Sequence, residues 1–226
     1  MLVDLSVANA GPWLLALVAL AAFLHYFDVD LVFHFLWICR PSARPKHASQ
    51  DKFFATHVHR ARVGLRDLDL MVHMNNSRYL READFARHGL LVESGIWEKA
   101  WKGKTPLVTG AQTIRYRREL SPFQKYEVHT KVVGWDERAI FLEQLFVAKS
   151  KKPNKDGKFQ DVHAVMFVRE AVAGGGKRAT EEGPGEGPLV RLFKATKWDL
   201  PPRKEPPADV AAWLQSTLDS SARVIG

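Results

Sequence analysis

Apolar positions change their period several times along the 226 residues, and each change marks an element. Residues 12–27 read PWLLALVALAAFLHYF, and after Asp28 and Asp30 the apolar character resumes from Leu31 through Cys39. A run of that length predicts a membrane anchor, since about 20 apolar residues cross a bilayer. The two acids leave a hairpin or a surface-lying helix as the alternative. From Phe53 to Val63 apolar and polar residues partly alternate, which predicts a strand. From Ser77 the period becomes helical: Tyr79, Leu80, Ala83, Ala86, Leu90 and Leu91 share a face, Arg78 and Glu82 stand four apart on its flank, and Gly95 marks its end. Small Ala83 and Ala86 would let this helix lie close to a sheet.

Four further strands are predicted over 107–118, 125–134, 138–149 and 158–169, with Val128, Thr130 and Val132 facing one side. Gly134 to Arg138 forms a tight turn and Lys151 to Gly157 a longer one. One strand, one helix and then four strands predicts an α+β domain whose antiparallel sheet covers the helix. Six glycines between 174 and 187 predict a flexible loop. Leu189–Trp198 reads as a short strand, and Ala208–Leu218 as a helix with Val210, Trp213, Leu214 and Leu218 on one side. The chain thus divides into an anchor or signal-like segment (1–40), a polar linker (41–52), the domain (53–170), a Gly-rich loop (171–188) and a C-terminal extension (189–226).

Candidate chemistry concentrates between strand and helix. Asp67, Asp69, His73, Asn75 and Asn76 fall within ten positions, more acids and amides than a helix cap needs. A strand ending at Asp69 and a helix starting near Asn76 would aim free backbone N–H groups at the turn, beside the carboxylate.

Asp69-x-x-x-His73-x-Asn75-Asn76-x-x-Tyr79 resembles the motif of the hotdog-fold thioesterases, of the 4-hydroxybenzoyl-CoA thioesterase type and the plant acyl-ACP thioesterases. The longer string from His73 to Arg87, with Gly134-Trp135-Asp136-Glu137-Arg138-Ala139, resembles the membrane-associated animal members of that family. The resemblance covers roughly residues 52–170, with an echo in Pro206 to Asp209 and Trp213. It implies a hotdog fold, a five-stranded antiparallel sheet wrapped around a central helix, preceded here by an apolar anchor helix. It also implies hydrolysis of acyl-CoA or related acyl thioesters by a homodimer without cofactor or metal. Asp69 would act as general base or nucleophile, with His73, Asn75 and Asn76 beside it and the helix amides holding the oxyanion. Tyr116-Arg117-Arg118-Glu119 resembles the plant Tyr-Arg-Arg-Glu, in which the Glu is catalytic; Leu120 stands where those enzymes carry Cys, and Met71 where they carry Asn. Glu119 could equally pair with Arg117 or Arg118 on the surface. Tyr79, Arg117 and Arg118 are the substrate-binding candidates. The departure at Met71 keeps open a second reading, a catalytically lapsed, membrane-tethered protein that binds acyl-CoA or a protein partner.

Composition narrows the field. The net charge of +8 lies entirely within 52–170, where 22 Lys and Arg face 14 Asp and Glu. That attracts polyanions. Arg115, Arg117 and Arg118 form the only tight basic cluster and no nucleic-acid module frames it, so coenzyme A phosphates are the expected partner and nucleic acid is not. The single cysteine, Cys39, excludes an intrachain disulfide and a Cys nucleophile in the domain, and no Gly-x-Ser-x-Gly elbow occurs. His57 and His59 share a strand face but lack the further ligands of a metal site, and read as exposed residues. Trp97 and Trp101 would line a core, a lid or an acyl groove. Only Asp4 precedes the apolar run, which argues against a cleaved leader, and Arg40, Arg44 and Lys46 follow it. The expectation is an uncleaved anchor through residues 12–39 in the endoplasmic reticulum with the domain in the cytosol; secretion after cleavage is the alternative.

Overall fold

The computed structural model describes residues 10–26, 29, 32, 33, 36, 53–102, 105–150, 152, 153, 157, 160–172, 187–195 and 205–225. The chain divides into two units, Met1–Ala43 and Arg44–Gly226. In the first, α1 (Ala10–Tyr26) exposes Trp13, Leu14, Leu17 and Val18 alike, so apolar side chains face outward on every side. Its 17 residues rise about 25 Å, short of the roughly 30 Å hydrocarbon layer. Among the described residues no helix is long and apolar enough to cross a membrane, so the expected anchor helix is not confirmed. Most of Asp28–Cys39 lies outside the described residues.

The second unit runs β1 (His57–Arg62), a 3₁₀ turn (Leu65–Asp67), α2 (Asn76–Glu93), α3 (Ile96–Lys102), β2 (Leu107–Tyr116), β3 (Lys125–Trp135), β4 (Ala139–Lys149), β5 (Gln160–Val172), α4 (Pro188–Ala195) and α5 (Ala208–Ile225). The strands form one sheet in the order β1-β3-β4-β5-β2, with every neighbouring pair antiparallel. The sequence period explains the layering. Tyr79, Ala83, Ala86 and Leu90 of α2 and the alternate sheet residues Val128, Val132, Leu142, Phe146, Met166 and Val168 are all buried in one cluster. This is the predicted five-stranded sheet around a central helix.

Small residues set how close the layers come. A Cβ at Gly89 would fall 2.2 Å from Nε2 of His57, so any side chain there would displace the His57 ring from α2. Gly95, at φ +79° just beyond the Ser94 cap, supplies the left-handed residue that stops α2. The tight turn after β3 forms as expected: Oδ1 of Asp136 accepts from the backbone N–H groups of Arg138 and Ala139, each at 2.7 Å.

Three expectations change. His57 and His59 are not exposed: they face α2, with Nδ1 of His57 2.8 Å from Glu93 and Nε2 of His59 3.2 Å from Glu82. Glu82 therefore serves His59, while Nε of Arg78 lies 3.7 Å from Asp67. Residues 188–195 form a helix rather than a strand, because Leu189, Leu192 and Phe193 are spaced i, i+3, i+4 and enter the core together, Phe193 meeting Phe53 edge-on at 6.2 Å. On the outer face of the sheet, Val210 and Leu214 of α5 bury Val133, Ala139 and Phe141. The Gly-rich stretch from 173 to 186 lies outside the described residues.

Candidate active site

Two loops meet at the end of the sheet where β1 and β2 finish. Residues 67–75 make a small hairpin: Asp69 N–H donates to the His73 carbonyl (3.0 Å), Asn75 N–H donates to the Asp67 carbonyl (2.7 Å), and Leu68 bridges Met74. Leu70, Met71 and Val72 are its tip, with Val72 in the left-handed region at φ +62°, an unfavourable place for a β-branched residue. Met74 N–H donates to the Leu120 carbonyl (2.9 Å) and ties the hairpin to the loop after β2. Asn75 caps α2, its Oδ1 accepting from the Ser77 amide (2.9 Å) and hydroxyl (2.7 Å). The N–H of Asn76, first in the helix, has no intrachain partner among the described residues.

This frame lines up three ionisable side chains. Oδ1 of Asp69 accepts from the Met71 N–H at 2.9 Å and lies 3.4 Å from Nδ1 of His73. On the other side of the imidazole, Nε2 of His73 is 3.7 Å from Oε2 of Glu119. Asp69 and His73 are about a quarter exposed and Glu119 two-thirds, so solvent reaches all three. Asp67 is occupied otherwise, its Oδ2 accepting from the Gly64 N–H at 2.8 Å, which stabilises the turn into the hairpin.

The other sequence candidates separate. Tyr79 lies beneath the site rather than in it: it is 1% exposed, packed between Tyr116 (5.2 Å) and Phe146 (5.0 Å). Burial pushes its phenol up to about 12 despite a hydrogen bond with the Leu120 backbone. Arg117 and Arg118 are exposed, their backbone N–H groups both donating to the His163 carbonyl. Arg118 pairs with Asp161 at 2.8 Å rather than with Glu119. Glu119 is thus turned to His73.

Sequence reasoning gave Tyr116 no role beyond its place in a motif and missed His163. The Tyr116 hydroxyl donates to the Asn76 carbonyl at 3.1 Å, and His163 Nδ1–H donates to the Glu119 carbonyl at 2.8 Å, so both position the loops. Burial holds the His163 imidazole below its ordinary range. Also missed was a buried polar network. Arg87, 4% exposed, sends Nε to Glu170 (3.0 Å) and Nη1 to Gln144 (3.1 Å), and pairs with Asp84. Thr109 donates to Glu170 at 2.7 Å, and Gln144 donates to Thr130 and to the Ala83 carbonyl. The available signal was a cation on the apolar face of α2, one turn beyond Ala83.

A cavity of about 480 Å³ opens between Trp97, Ala100, Trp101, Thr105, Pro106 and Leu107. It lies against the C-terminal half of α2, where Trp97 meets His88 edge-on at 5.7 Å, about 18 Å along the helix from Asn76. Within one chain the acid and the apolar cavity are therefore apart.

The family model described as the thioesterase-like superfamily matches residues 63–214, more than half of the chain. The chain belongs to that superfamily. Among curated relatives it is similar to Protein THEM6 of Danio rerio, at 46% identity over 54% of this chain and 56% of that one. It is also similar to Protein THEM6 of Xenopus laevis, at 40% identity over 70% of this chain and 67% of that one. The Thioesterase lcsJ of Purpureocillium lilacinum matches at 24% identity over 54% of this chain and 44% of its own. The chain therefore spans between about half and two thirds of these relatives' lengths.

Proposed function

We propose that this chain hydrolyses acyl-CoA or a related acyl thioester, with Asp69 as the reactive carboxylate. The observation that carries the reading is the setting of Asp69: one carboxylate oxygen is held by the Met71 N–H and lies 3.4 Å from Nδ1 of His73, while the group stays partly exposed. As general base, Asp69 takes a proton from water as the water oxygen adds to the thioester carbonyl. As nucleophile, it adds to that carbonyl itself, and water then opens the anhydride. In both routes the C–S bond breaks, the thiol leaves, and the oxyanion accepts from the helix amides. His73 orients the carboxylate, and Glu119 faces the imidazole from the solvent side. In this reading exposed Arg117 meets the coenzyme A phosphates, with Arg118 shared between them and Asp161.

The separation of acid and cavity favours a homodimer. β2 is hydrogen bonded to β5 on one side, and its other edge is the border of the sheet. Antiparallel pairing of two β2 edges would bring Leu107 and the tryptophan cavity of one protomer beside Tyr116 and Asn76 of its partner. The apolar wall for an acyl chain then comes from the second copy. The same reading keeps the domain at the cytosolic face of a membrane, with Arg40, Arg44 and Lys46 following the apolar run.

The test is hydrolysis of an acyl-CoA panel by the full chain, followed with a thiol reagent. Asp69→Asn keeps size and hydrogen-bonding reach but removes the charge, and should lower kcat by about 10²–10⁴ with ligand binding retained. Asp67→Asn, whose side chain holds the Gly64 turn and lies 3.7 Å from Arg78, should keep most of the rate. Full activity in Asp69→Asn refutes the assignment, and a parent chain that turns over no acyl-CoA would put the binding-protein reading first.

A further inference from the structure

We propose that the loop end of the sheet around Asp69 docks on the surface of a membrane bearing anionic phospholipid. Five large apolar side chains stand out there: Leu70 at 101% exposure, Met71 at 74%, Leu65 at 71%, Val72 at 61% and Phe123 at 51%. They belong to two loops, 63–75 and 117–124, tied together by the Val63 amide on the Gln124 carbonyl (3.0 Å) and the Met74 amide on the Leu120 carbonyl (2.9 Å). Scattered exposed apolar residues are ordinary; a group on tied loops marks an interaction surface. Val72 and Phe123 are the two non-glycine residues among those described that hold a positive φ, at 62° and 61°. Both strained positions present an apolar side chain to solvent on these same loops.

The charge beside them decides the partner. Nε of Arg62 donates to the Phe123 carbonyl (2.9 Å) while its guanidinium lies over the Phe123 ring, 5.5 Å from the centroid. Arg62 faces Lys125 across the β1–β3 ladder, and both line a groove of about 620 Å³ with Arg60 and Lys149. The one acid lining that groove, Glu127, is already paired with Arg60 at 3.1 Å and with His129 at 2.8 Å. Apolar tips flanked by bases suit a lipid headgroup layer: the tips enter the acyl boundary and the bases meet phosphates. A protein groove for an apolar partner would instead want a continuous patch with few charges at its centre.

The experiment uses the full chain with Cys39→Ser and Leu70→Cys, labelled at residue 70 with an environment-sensitive fluorophore, and a second preparation labelled at Glu205→Cys as control. Both are reconstituted in vesicles of phosphatidylcholine alone or mixed with phosphatidylserine. The residue 70 label should shift to the blue and brighten several-fold only with phosphatidylserine, while the residue 205 label stays as in water. Lys125→Glu with Lys149→Glu should weaken the response, since each base near an anionic surface is worth roughly five-fold in partitioning. An unchanged residue 70 label overturns the proposal. An equal shift on phosphatidylcholine alone overturns it too, by removing the role of the bases. A blue shift that grows with protein concentration without vesicles would show instead that a second copy covers this end.

Discussion

Replacing Glu170 should destabilise the fold far more than its distance from Asp69 suggests, and the structure grades the loss. Arg87 and Glu170 are each 4% exposed, so neither charge can turn to water. Burial already holds the Arg87 guanidinium below its ordinary range, with Glu170 the counterweight. Glu170→Gln keeps one oxygen, enough for the atom to which both Arg87 Nε and the Thr109 hydroxyl donate, but turns the other into an NH2 donor and removes the charge. Asp84 remains on Arg87 but is half exposed, so it compensates in part. We expect a loss of about 2–3 kcal/mol for Gln and about 3–5 kcal/mol for Glu170→Leu, which also strands Thr109. Arg87→Met combined with Glu170→Leu removes both charges together, and should recover at least about 2 kcal/mol relative to the sum of the single changes. Equilibrium urea unfolding of the full chain, followed by tryptophan fluorescence, gives the four corners of the cycle. If Glu170→Leu stayed within about 1 kcal/mol of the parent, or the coupling were near zero, the pair would not be the structural tie argued here.

Acid should weaken the domain through two histidines. His88 is held down by burial and then by Arg87, and His163 by burial, so both native pKa values lie below the unfolded one. Their contribution is intact above about pH 6.5 and is lost as pH falls below it, because the unfolded chain then binds protons the native state takes up reluctantly. A combined His88→Gln and His163→Gln variant should lose less stability than the parent between neutral and mildly acid pH, measured by urea midpoints; an equal loss refutes it. The β2 edge predicts a dimer contact: single cysteines placed at positions 109 to 114, in a Cys39→Ser background, should give oxidised dimers peaking at one position. A scan without any crosslinked species would remove the shared site.

The central helix and its four following strands were legible because each buries one face, and one-sided burial writes its period into the sequence. The edges of those four strands moved by three residues at most, and β1 began four residues later than expected. Residues 188–195 misled because eight residues with three core contacts look alike as a strand or a helix until the packing partner, Phe53, is known. His57 and His59 misled for a related reason. A histidine on a strand face reads as solvent-facing, and nothing near it in sequence announces that Glu82 and Glu93, 23 and 36 residues away, will meet it. Arg87 and Glu170 lie 83 residues apart and belong to a helix and a strand that meet only in the folded state. Long-range polar pairs leave no local period, so they are the part of the fold a single sequence hides.

The site was legible to the extent that it is local. Asp69, His73, Asn75 and Asn76 lie within eight positions, and one hairpin and one helix cap place them. Glu119 reaches them only because the Leu120 carbonyl accepts from the Met74 amide and the Glu119 carbonyl from His163. The residue that differs from the plant pattern also sits in this local part. Met71 is 74% exposed at the hairpin tip, and what Asp69 receives from that position is the backbone N–H at 2.9 Å. Any residue except proline can supply that donor. The hold on Asp69 from position 71 therefore comes from the backbone and not from the side chain that differs.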